Sequence, residues 1–126
     1  NLGANTNSSN LKNNAGTVRV WCEASQSYIA AGQKCGLIMG DYSRCGISTM
    51  LNTGTVIGIS CNVFGGDFPP KHIPSFSWGG AAKWMRYEYD KAIKDADAWM
   101  KLKEKNISPM EENILHHVYH NQKKKS

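Results

Sequence analysis

From Met39 to Phe64, apolar residues recur at every sixth position. Met39, Cys45, Leu51, Ile57 and Val63 are all apolar and of middling size. The next positions hold Gly40, Gly46, Asn52, Gly58 and Phe64, and small residues follow further on at Ser43, Thr49, Thr55 and Cys61. A six-residue period matches neither the 3.6 of a helix nor the alternation of a simple strand. It predicts a parallel β-helix, in which each hexapeptide makes one flat face and a corner. On that reading the apolar residue points inward and stacks on its equivalents above and below. The Gly or Asn beside it allows the corner backbone, and the small residue fits a narrow interior.

Leu2-Gly3-Ala4-Asn5-Thr6-Asn7 reads as one more hexapeptide, so the β-helix portion is expected over 1–80 with an inserted excursion at about 8–36. Within that insert, residues 16–21 alternate like an exposed strand, Ser25 to Gly32 reads as its turn, and the whole is expected to project from the stack. Solenoids generally need about three repeats to be stable, and the five hexapeptides from Met39 onward fill fewer than two three-sided coils. Further coils upstream of Asn1, or an oligomer covering the open end, are therefore expected. A start at Asn rather than Met suits a piece of a longer chain.

Gly65-Gly66-Asp67-Phe68-Pro69-Pro70 ends the repeat, because proline cannot donate to a further ladder. Residues 71–80 (KHIPSFSWGG) read as an aromatic loop that either lines a pocket or, the favoured reading, plugs the end of the stack. A C-terminal helical extension with a basic tail is expected over 81–126. Its first helix runs from Ala81 to about Lys103, with Tyr89, Ile93, Ala96 and Met100 on one face and Trp84 and Trp99 adding bulk for docking. The second starts at Ser108 as N-cap, with Pro109 in the first position and Glu111 closing a capping box. Met110, Ile114, Leu115 and Val118 form its apolar stripe.

Composition narrows the function classes. No run of about 18 apolar residues exists, so no membrane span is expected. The net charge of +5 gathers in Lys101, Lys103 and Lys105 and in a terminal run from Lys123 to Lys125. A nucleic-acid interface calls for a basic stripe interleaved with aromatics; a solvated helix face and a frayed tail account for this charge instead. Cys22, Cys35, Cys45 and Cys61 follow neither redox nor zinc-finger spacing and read as reduced thiols, which points to the cytoplasm. His116 and His120 stand one helical turn apart, as in a two-histidine metal site, but with no third ligand in view they read as surface histidines and no metal is expected.

The run GDYSRCGISTMLNTGTVIGISCNVFGGDFPPKHIPSFSWGG resembles the C-terminal left-handed β-helix of bacterial sugar-1-phosphate nucleotidylyltransferases. These are relatives of the bifunctional N-acetylglucosamine-1-phosphate uridylyltransferase/glucosamine-1-phosphate acetyltransferase. LGANTNSSNLKNN and the Ser-Pro-x-Glu helix start resemble the same family, so the likeness covers nearly the whole chain. It implies a mainly β fold, a left-handed parallel β-helix of hexapeptide repeats with a projecting loop and two C-terminal α-helices. It also implies a homotrimer with acyl-donor clefts between neighbouring β-helices, and a separate upstream domain that uses Mg²⁺.

The resemblance implies a transferase acting on a sugar phosphate or nucleotide sugar. In one form, this domain moves an acetyl group from acetyl-CoA to an amino sugar phosphate. Asn10 and Lys12 match the family loop that contacts sugar and phosphate, and Asn52, Thr53 and Ser60 border the cofactor cleft. A repeat corner explains Asn52 equally well. The histidine base of related acetyltransferases falls upstream of Asn1, so no catalytic residue is assigned. Tyr42 occupies a position where relatives place a charged or histidine motif, and His72 reads as a loop residue. In the other form, the domain is a non-catalytic trimerising or regulatory platform for the nucleotidylyltransferase domain.

Overall fold

The computed structural model describes residues 1–80 and 82–123. Most of its strands are two or three residues long. β1 (Asn7–Ser8) precedes a hairpin of β2 (Val18–Cys22) and β3 (Ser27–Gly32). Then follow β4 (Leu37–Met39), β5 (Arg44–Cys45), β6 (Met50–Leu51), β7 (Thr55–Ile57), β8 (Asn62–Val63), β9 (His72–Ile73), β10 (Ser77–Gly79) and β11 (Trp84–Arg86). The chain continues in α1 (Tyr89–Lys101) and α2 (Pro109–Lys123).

The strands form four small sheets: β1–β6, β4–β7–β9, β11–β10–β8–β5 and the β2–β3 hairpin. Pairing is parallel between β4 and β7 and between β5 and β8, where each residue meets the one eighteen positions later, as in Met39 with Ile57 and Cys45 with Val63. The step shortens to sixteen residues at the next level, where Ile57 meets Ile73 and Val63 meets Gly79. Side chains separated by these steps therefore lie above one another. Cys45, Leu51, Ile57, Cys61, Val63 and Ile73 are buried together, with Leu37, Met39 and Trp84 packed against them. Full burial of an aliphatic side chain of this size contributes about 1.5–3 kcal/mol.

The fold class expected from the sequence is corrected by this architecture. A mainly β left-handed parallel β-helix with a projecting loop is not what the strands and sheets describe. They are short pieces in small parallel and mixed sheets, accompanied by two substantial helices. β11 pairs antiparallel to β10, which reverses the chain at the sheet edge. Gly79 (φ 154°) permits that reversal, since a Cβ there would lie 2.2 Å from the Lys83 carbonyl oxygen. The backbone also leaves extended geometry within each hexapeptide, which limits every ladder to a few residues.

Those departures are not at the glycines that follow the apolar positions. Positive φ falls at Tyr42, Ser48, Gly54 and Ser60, again six apart. Gly40 and Gly58 serve close approach instead. A Cβ at Gly40 would lie 2.7 Å from the carbonyl carbon of Gly58, and one at Gly58 would lie 2.5 Å from the Ser75 nitrogen. The small interior residues are hydrogen-bonded inside the stack: Ser43 Oγ donates to the Gly58 carbonyl (2.6 Å) and accepts from the Cys61 amide (3.0 Å). Thr49 and Thr55 donate to the carbonyls of Gly46 and Asn52.

Three local expectations also change. The insert does not project freely: Val18 and Val20 are buried, Trp21 stacks on His72 (4.5 Å between centroids), and Ser27–Gly32 is a return strand rather than a turn. The aromatic segment after Pro70 supplies β9 and β10 instead of a loop plug, because its backbone extends the parallel ladders. The first helix begins at Tyr89, since Trp84–Arg86 completes the mixed sheet; Ala81, its expected start, lies outside the described residues.

α2 begins as expected, with the Glu111 amide donating to Ser108 Oγ (3.1 Å) and the Ser108 amide to Glu111 Oε1 (3.4 Å). Its apolar stripe is rotated from the expected one. Leu115 is buried, whereas Met110 is 74% exposed and Ile114 56%. A second core of Phe76, Tyr87, Ala92 and Leu115 joins both helices to the sheets. Lys124 and Lys125 of the basic tail lie outside the described residues.

Candidate functional site

The asparagine-rich segment after β1 is held in place by its backbone. The Ser9 amide donates to the Leu51 carbonyl (3.0 Å), and the Cys35 amide donates to the Asn10 carbonyl (3.1 Å). A turn closes where the Ala15 amide donates to the Lys12 carbonyl (2.9 Å), and Asn14 Oδ1 accepts from the Gly16 amide (2.9 Å). Opposite stands the corner between β6 and β7. There Thr53 Oγ1 accepts from the Gly36 amide (3.1 Å), and the Gly54 amide donates to the Gly36 carbonyl (2.7 Å).

A cavity of about 490 Å³ lies between these segments, with Lys12, Asn13, Asn14, Asn52 and Thr53 among its lining residues. Phe68 and Lys71 complete it from the segment between β8 and β9. Lys71 reaches across to the hairpin, its Nζ donating to the Arg19 carbonyl (2.8 Å). The lining thus combines amide and hydroxyl groups with two ammonium groups. Carboxylate and imidazole side chains are not part of it. Such a donor set suits a phosphorylated polar ligand, since each ammonium makes charge-assisted hydrogen bonds to phosphate oxygens.

Of the residues singled out in the sequence, Lys12, Asn52 and Thr53 meet in this cavity. Asn10 is part of the same loop and exposed, but its side chain is not in the lining. Ser60 is away from it, buried at a positive-φ corner, with its Oγ lacking a hydrogen-bond partner among the described residues. Lys71, Phe68, Asn13 and Asn14 were missed. Asn13 and Asn14 were signalled by their place in the Asn-rich loop; nothing local marks Lys71 beyond its position after Pro70.

Tyr42 and Arg44 are committed elsewhere. The Tyr42 hydroxyl donates to Glu111, and Arg44 donates to the Tyr87 hydroxyl (2.8 Å), which itself donates to Asp95. Burial, then the hydrogen bond to Glu111, pushes Tyr42 up to about 12. Burial lowers the pKa of His72, whose ring is covered by Trp21. Among the described residues no three or more His, Cys, Asp or Glu side chains are grouped to hold a metal, and no helix is long and apolar enough to cross a membrane. All four cysteines are free, with Cys45 and Cys61 buried.

No family model matches the chain, and no curated protein matches it.

Proposed function

We propose that this chain is a domain of a sugar-1-phosphate nucleotidylyltransferase-like transferase, and that its Lys12–Lys71 cavity binds a sugar phosphate or nucleotide sugar. The observation that carries this is the meeting of Lys12 with Lys71, Asn52 and Thr53, residues far apart in sequence, in one lining. The two ammonium groups suit a phosphate, and Asn13, Asn14 and Asn52 suit sugar hydroxyls. The resemblance of LGANTNSSNLKNN to the family's sugar-contacting loop supports the same assignment.

The role that fits this lining is a binding platform, regulatory or trimerising, for an upstream nucleotidylyltransferase domain. Exposed apolar side chains, Ile38 of β4 at 51% and Ile47 in the turn between β5 and β6 at 74%, support association into a homotrimer. Four free cysteines support a cytoplasmic setting. Acetyl transfer from acetyl-CoA is the second reading, favoured by Asn52 and Thr53 sharing the cavity with Lys12. The lining does not by itself fit that chemistry, because it offers no carboxylate or imidazole to take the proton from an attacking amine.

Titration of the protein with glucosamine-1-phosphate tests the proposal. Saturable binding is expected, weakened at least tenfold by Lys12→Ala and by Lys71→Ala, about 1.4 kcal/mol or more. Binding untouched by both substitutions overturns it. Added acetyl-CoA separates the two roles: release of free CoA thiol selects acetyl transfer, and its absence in the sugar-bound protein selects the platform.

A further inference from the structure

The imidazoles of His116 and His120 face each other on the exposed side of α2, with their Nε2 atoms 2.9 Å apart. The side chains of Tyr89 and Tyr119 collar them. Tyr89 meets His116 edge-on at 5.3 Å, and Tyr119 meets His120 edge-on at 5.6 Å. Both tyrosines also pack against Phe76 in the second core. The ring pair is therefore oriented by residues rooted in the protein interior, which reduces the ordering cost of binding.

We propose that His116 and His120 form a two-imidazole chelate for a divalent transition-metal ion of the nickel–copper–zinc group. Imidazole is the ligand these ions favour. With metal–nitrogen bonds of about 2.1 Å, two ligands at a right angle stand about 3 Å apart, and two at a tetrahedral angle about 3.4 Å. The 2.9 Å between the two Nε2 atoms of the metal-free pair lies close to these spacings, so small side-chain rotations bring both rings onto one ion.

Among the described residues these two imidazoles are the ligands, and water completes the coordination at this exposed face. In the metal-free pair, one Nε2 carries a proton and donates to the other. A bound ion uses both Nε2 lone pairs, and the donating ring shifts its proton to Nδ1. His117 is a natural control on the same helix, since its Nε2 lies 2.8 Å from Asn121 Nδ2. The site is separate from the Lys12–Lys71 cavity, so its failure leaves the proposed function untouched, and the reverse also holds.

Calorimetric titration of the full chain with Ni(II) tests the site; this ion is not reduced by the free thiols. One ion per chain is expected. His116→Ala and His120→Ala should each weaken binding at least tenfold, and His117→Ala should leave it unchanged. All three positions are exposed, and far-ultraviolet circular dichroism checks that each variant keeps its helices. Wild-type affinity in His116→Ala or His120→Ala, an equal loss in His117→Ala, or no binding by the unaltered chain overturns the proposal.

Discussion

The Tyr42 hydroxyl donates a hydrogen bond to the Glu111 carboxylate, the same carboxylate that closes the capping box of α2. One side chain on the strand stack thereby helps to position the first turn of the second helix. The contact joins residues that belong to separate parts of the sequence pattern, a six-residue repeat and a helix start.

That contact gives folding a pH dependence with a defined sign. Hydrogen bonding from Tyr42, then from Ser108, holds the Glu111 carboxyl below its ordinary 4.5. Folding favours the ionised form, so this contribution is complete above that value and is lost as pH falls through the lower folded one. Tyr42→Phe should lower the urea midpoint at pH 7 and flatten the decline in stability below pH 4.5. An unchanged acid profile in the variant would show that Tyr42 does not set the Glu111 carboxyl.

Ile57→Ala should destabilise the chain by about 2–5 kcal/mol, since Ile57 is 1% exposed in the centre of the first core. Met110 is 74% exposed, and Met110→Ala should change stability by no more than about 0.5 kcal/mol. Urea unfolding of the two variants measures the contrast.

Gly58→Ala places a methyl group 2.5 Å from the Ser75 nitrogen and should cost about 1–3 kcal/mol through forced displacement of β9's flanking backbone. Gly66→Ala meets nothing within 4 Å and is the matched control. Thermal melts should separate them by several degrees.

Thiol titration should divide the cysteines into two pairs. Cys35 is exposed, and hydrogen bonds from Ser25 lower the pKa of half-buried Cys22, so both should react quickly with an aromatic disulfide reagent. Burial raises Cys45 and pushes Cys61 up to about 11, so both should react only when the chain unfolds. Four thiols of equal rate in the native protein would contradict the buried placement.

The period of six was legible because identical surroundings recur along it. Cys45, Leu51, Ile57 and Val63 share one core, and the small residues Ser43, Thr49, Thr55 and Cys61 are buried beside them. The capping box of α2 was equally legible, since Ser108 and Glu111 need only their own turn of helix. A third of the cavity's lining, Lys12, Asn52 and Thr53, was named instead through the family resemblance.

Tertiary packing decided the rest. Gly40 and Gly58 look like flexible corners in the sequence, yet their role is set by a crossing backbone segment that would lie within 3 Å of any Cβ there. Whether Trp84 joins a helix or a strand depends on the edge that β10 offers it, and the buried face of α2 depends on where Phe76 lies. Lys71 enters the cavity because the segment after β8 returns beside the hairpin. Local pattern encodes which residues avoid water, and it is blind to which distant surface each of them meets.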